Sequence, residues 1–156
     1  GRYKIEIRRK ESCTLKREIP FDKLPNFLRK AIIRLIERKN HINEPYALAR
    51  SMSWRELENM AKRIAVITLQ RSTWEVIENL SQRFRNELEK RELLETVLSV
   101  EKLEDKTLIA VEKSKLKKSN PLYKLLDPLE PNWRESLTSG IGYLEEIKTL
   151  NPVKNP

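Results

Sequence analysis

Glycine is scarce in this chain of 156 residues, which has only 3. That excludes a Gly-rich phosphate loop, and neither G-x-G-x-x-G nor G-x-x-x-x-G-K occurs. There is 1 cysteine, Cys13, so an intrachain disulfide, an iron–sulfur cluster and a Cys-rich zinc site are all excluded. With 1 histidine, His41, any nucleophile–base pair would have to join two separate turn-like segments. Asp22, Asp105 and Asp127 are far apart, and no H-E-x-x-H or Ser elbow is present. We therefore expect no metal, no cofactor and no intrinsic catalysis. No apolar run approaches the roughly 18 residues a membrane span needs, and no signal peptide is visible, so the expectation is a cytoplasmic protein.

What is abundant is charge. Charged residues make up 35% of the chain and hydrophobic ones 38%, the latter in periodic runs. The composition is that of a folded, highly charged protein rather than a disordered one. Its Lys/Glu/Arg/Ile-rich, Gln-poor balance points toward a thermophile. The net charge is +9. Residues 1–40 hold 13 Lys/Arg against 5 Asp/Glu, a net +8, and residues 41–156 contribute the remaining +1. A basic excess confined to one quarter of the chain suits a polyanion, because each phosphate neutralised releases counterions. A solvated basic face is the plain alternative.

Hydrophobic spacing gives the organisation. "YKIEIRRK" (Tyr3–Lys10) alternates like a half-buried strand, and residues 1–20 read as a basic strand or arm. Phe27, Leu28, Ala31, Ile32, Leu35 and Ile36 form one stripe of a helix over Leu24–Asn40. Ser53 with Glu56 has capping-box spacing, and a helix is expected from there to about Thr68. Ser72 with Glu75 repeats the box before a long helix, Thr73 to about Glu95. "VLSVEKL" and "TLIAVEK" flank "EDK" as a β-hairpin would, near 96–114. "PLYKLLDPLEPNW" reads as an extended or single-turn segment. One or two final helices are broken at Gly140 and Gly142, and 151–156 is a tail. The fold class is thus mostly α (α+β), a single helical domain over 21–150 with a small hairpin.

The basic residues group by helical spacing. Arg29, Lys30, Arg34 and Arg38 share part of one face. His41 and Arg50 follow its end, and Lys62, Arg63 and Arg71 cluster on and after the next helix. Arginine suits phosphate because its planar fork binds it bidentately and also stacks on bases. Trp54 and Trp74 both stand at helix entrances. There they serve core packing, anchor a partner subunit, or stack on a base. Helix, turn, helix, hairpin over Ser53–Lys113 also has the order of a winged helix-turn-helix. However, the exposed face of the second helix carries Glu78, Glu87 and Glu89, which would repel phosphate.

Four stretches, "LPNFLRKAIIRLIERKNHI", "EPYALARSM", "AKRIAVITL" and "STWEVIENL", resemble the C-terminal domain of the large subunit of archaeal and eukaryotic primase. That domain has a Pro-led amphipathic helix, a turn with Asn/His and an Arg, an Arg-bearing helix, and an S/T-x-x-E entrance. It also holds a four-cysteine iron–sulfur cluster, which this chain lacks. In that respect the chain is similar to the small non-catalytic third subunit of some archaeal primases (PriX-type). The resemblance implies an accessory subunit that works with catalytic and large primase subunits. It would contact template DNA, an RNA primer or the initiating nucleotide through His41, Tyr46, Arg50 and Arg63. The alternatives are a winged-helix DNA-binding regulator and a GINS-type scaffold subunit of the replication machinery.

Overall fold

The structure, a computed structural model, describes residues 19–40, 43–84 and 86–150. The expected basic arm (but for Ile19 and Pro20), His41 and the 151–156 tail lie outside the described residues.

After a 3-10 turn at Phe21–Lys23, helix α1 spans Asn26–Asn40. Its predicted stripe is the buried one: Ala31 and Leu35 are 0% exposed, and Ile32 and Ile36 1%. Helix α2 (Pro45–Ser51) begins on a proline, whose missing N–H is no loss in a first turn. Helix α3 (Trp54–Ala61) carries the expected capping box. The Ser53 Oγ accepts from Glu56 N at 3.2 Å, and Glu56 Oε1 accepts from Ser53 N at 2.8 Å.

The expected continuation of this helix to Thr68 is not formed. Ile64–Gln70 is strand β1. The run "IAVITL" is rich in β-branched residues and is buried on both faces, so it lacks the alternation that would have marked it as a strand. The expected long helix is also divided. Helix α4 (Arg71–Ser81) ends before a break, and α5 (Glu87–Thr96) restarts on Asn86, whose side chain accepts from Leu88 N at 2.8 Å. The Ser72 capping box is not used, because α4 starts two residues earlier than expected, at Arg71, with Gln70 at its N-cap.

The hairpin is present as β2 (Val97–Lys102) and β3 (Lys106–Glu112). The segment expected to be extended is instead helix α6 (Pro121–Leu129), with Pro121 in its first turn and Pro128 in its last. A 3-10 turn at Trp133–Ser136 leads to strand β4 (Leu137–Ser139) and helix α7 (Gly140–Leu150). Gly140 starts α7, and Gly142 lies inside it.

The four strands form one antiparallel sheet in the order β2-β3-β1-β4. Helices cover both faces. Ile64, Val66, Leu98 and Ala110 face a core shared with α1, α3 and α7. Ala65, Ile67, Leu69, Ile109 and Val111 face a second core with α4, α5 and α6. The fold class stands, with a larger sheet than the hairpin alone. Because β1 separates α3 from α4, no helix-turn-helix forms there. The stretch "AKRIAVITL", a helix in the primase resemblance, is here mostly central strand. No helix among the described residues is long and apolar enough to cross a membrane.

Candidate functional site

Strand β2 ends the sheet, and no strand pairs with its outer edge among the described residues. Helix α1 stands over one face of that edge, and α4 and α5 stand over the other. Between them runs an open cleft of about 630 Å³, with Val97, Leu98, Ser99 and Val100 along its floor. The α1 wall is fixed to the strand by a buried bond: the Ser99 hydroxyl donates to the Phe27 carbonyl at 2.8 Å.

The cleft is cationic. Lys30 and Arg34 enter from α1, one turn apart, and Lys90 enters from α5. None of the three holds an ion pair among the described residues. Two acids also line it, Glu37 and Glu78, but Glu78 is already paired to Lys102 at 3.1 Å. The positive charge is felt locally. Arg38 is held below the ordinary arginine pKa, first by burial and then by the neighbouring Arg34 charge.

The apolar walls come from Ile33, Leu93, Leu94 and Trp74. Trp74 is only 7% exposed, and its indole N–H has no hydrogen-bond partner among the described residues. A buried unmatched donor costs about 1–3 kcal/mol. Tyr46, 47% exposed, stands at the rim, edge-on to Phe21 at 6.4 Å.

Among the residues singled out in the sequence, the cleft therefore gathers Lys30, Arg34, Tyr46 and Trp74. Several others are committed to the chain's own acids. Arg50 binds both oxygens of Asp22, at 3.0 and 3.1 Å, and lies 5.9 Å from the Tyr46 ring. Arg63 and Arg38 converge on Glu112, each at 3.7 Å. Arg71 lies 3.6 Å from Glu75. Arg29 is half-buried and reaches Asn26 at 3.5 Å, while Lys62 is exposed beyond α3. Neither lines the cleft. Trp54 is half-buried and packs on the α1-side core. Trp133 is 2% exposed in the other core, its indole donating to Asp127 at 2.6 Å.

Sequence reasoning missed Lys90. It sits in "ELEKREL", an ordinary alternation of charges on a helix surface, and only the sheet topology brings α5 opposite α1. No group of three or more His, Cys, Asp or Glu is placed to hold a metal ion among the described residues. Comparison of the chain with family models, curated proteins and solved structures finds no match.

Proposed function

We propose that this protein is a non-catalytic accessory subunit that binds nucleic acid, or the phosphates of a nucleotide, in the cleft along β2. The resemblance read in the sequence makes primer synthesis the process it serves, beside catalytic and large primase subunits. The observation that carries the reading is the set Lys30, Arg34 and Lys90: three cations from two helices, without ion-pair partners among the described residues, lining one concavity. Each is free to neutralise a phosphate at no cost in broken internal pairs. The arginines committed to Asp22, Glu75 and Glu112 lack that freedom. The nucleic acid would be positioned here while phosphoryl transfer proceeds on a partner.

The test is fluorescence anisotropy with a labelled oligonucleotide over a range of salt. The expected result is salt-sensitive binding that weakens about tenfold or more in a Lys30→Ala/Arg34→Ala variant. Its log–log salt slope should also be shallower by about one for each phosphate that is no longer neutralised. Full affinity in that variant, or no binding by the unaltered chain, would remove this reading.

A further inference from the structure

The floor of the cleft is the outer edge of strand β2. Strand β2 is paired only to β3, so on its outer side alternate N–H and C=O groups have no strand partner among the described residues. Such an edge ordinarily invites another strand. Here the register to β3 shifts between Val97 and Ser99, which leaves Leu98 as an extra residue. A bulge twists an edge and interrupts the regular ladder a long peptide would need. It does not prevent a short, planar group with two or three donors and acceptors from using the same backbone atoms. A nucleobase is such a group, and its pairing edge is open only when the strand is single.

The surroundings suit the rest of a nucleotide. Lys30, Arg34 and Lys90 supply positive charge at the cleft walls. Tyr46 offers an exposed ring at the rim for stacking. Trp74 adds a buried N–H that still needs an acceptor. Resting on the nucleic-acid reading above, we infer that the cleft selects unpaired strands. Phosphates bind the flanking cations, and one base lays its pairing edge against the outer edge of β2, where Val97 and Val100 are half-buried and Leu98 and Ser99 buried.

Three probes of equal length separate the possibilities: a single strand, an abasic single strand with the same phosphates, and a duplex. Anisotropy measures affinity, and backbone hydrogen exchange across Val97–Val100 measures engagement of the strand edge. The intact single strand should bind about tenfold or more tighter than either of the others, the size expected when one base is removed from its site. It alone should slow exchange in β2. If the abasic strand binds as tightly and its binding still depends on Arg34, base recognition is wrong while the phosphate-binding reading survives. If no probe binds, both fall. If an extended acidic peptide protects Val97–Val100 and the single strand does not, the edge serves a protein partner and the inference is overturned.

Discussion

Arg38, in the last turn of α1, lies 3.7 Å from the carboxylate of Glu112 at the end of β3. The same guanidinium donates to the carbonyls of Leu94, at 2.7 Å, and Glu95, in the last turn of α5. One side chain thus holds together two helices and the sheet. It also places a cation at the negative end of a helix dipole. Arg63 reaches the other oxygen of Glu112, so the carboxylate closes a cluster at this end of the molecule.

Removing Arg38 leaves Glu112, whose side chain is 13% exposed, to Arg63 alone and strands two carbonyls. Breaking a buried pair from one side costs about 3–5 kcal/mol, and this one is partly solvated, so Arg38→Ala should destabilise by about 2–3 kcal/mol. Arg38→Lys should recover little, because an ammonium has no fork to span a carboxylate and two carbonyls. Urea unfolding measures both. A loss under about 0.5 kcal/mol, the size of a plain surface change, would show that the cluster carries no stability.

Arg34 and Arg50 make the contrasting pair. Arg34→Ala should weaken oligonucleotide binding several-fold and leave the urea midpoint nearly unchanged. Arg50 is bound to Asp22, but both side chains are more than half exposed, at 56% and 54%. Exposed pairs contribute about 0–1 kcal/mol. Arg50→Ala should therefore change neither binding nor stability by much. The opposite pattern, with binding abolished through Arg50 and kept through Arg34, would move the interface away from β2 to the α2 side.

How far the sequence announces this arrangement depends on the range of the interaction. The α1 stripe, the Ser53–Glu56 box and the β2–β3 hairpin are all set by neighbours within a few residues, and each forms as read. β1 is settled by helices on both sides, and a continuous apolar run cannot say whether it is a helix or a strand. At the start of α4, Glu130 accepts from Gln70 N at 3.1 Å across 60 residues of sequence, a contact that local spacing does not announce. The cleft is legible only in part for the same reason. Lys30 and Arg34 announce themselves by helical spacing, whereas Lys90 joins them only because α5 packs against the sheet edge.

Gly140 offers a test of packing that no charge argument touches. It begins α7 where that helix meets the α3–β1 junction. A methyl group added there would overlap the Ala61 carbonyl oxygen and lie 2.7 Å from that of Ile64. Both atoms are backbone and cannot rotate away. Gly140→Ala should cost about 3 kcal/mol or more, at the upper end for overpacking. At Gly142 the corresponding neighbours are side-chain atoms of Ser139 and Thr138 at 3.3 Å, and the position lies inside the helix. There alanine gains up to about 1 kcal/mol of helix propensity, which offsets the crowding. Thermal unfolding should rank Gly140→Ala far below Gly142→Ala, and equal midpoints would contradict the close approach of α7 to Ala61.

Tyr143 of α7 stands edge-on to Phe27 of α1, with ring centroids 5.6 Å apart, so its ionisation reports on how α7 packs against α1. Burial, reinforced by the charges of Glu101 and Glu146, pushes its pKa up to about 12. In the unfolded chain a tyrosine ionises near about 10. The folded state therefore holds the proton more tightly. This contribution to stability is complete below the unfolded pKa and declines as pH rises toward the folded one. Urea midpoints should fall between those two values, and Tyr143→Phe should remove that group's share of the fall. Tyrosinate absorbance of the folded protein should likewise lose an ionisation at about 12 in the variant. An unchanged alkaline profile in Tyr143→Phe would mean that the phenol is not shielded by α1, and that the α7 packing on this face is looser than the ring geometry implies.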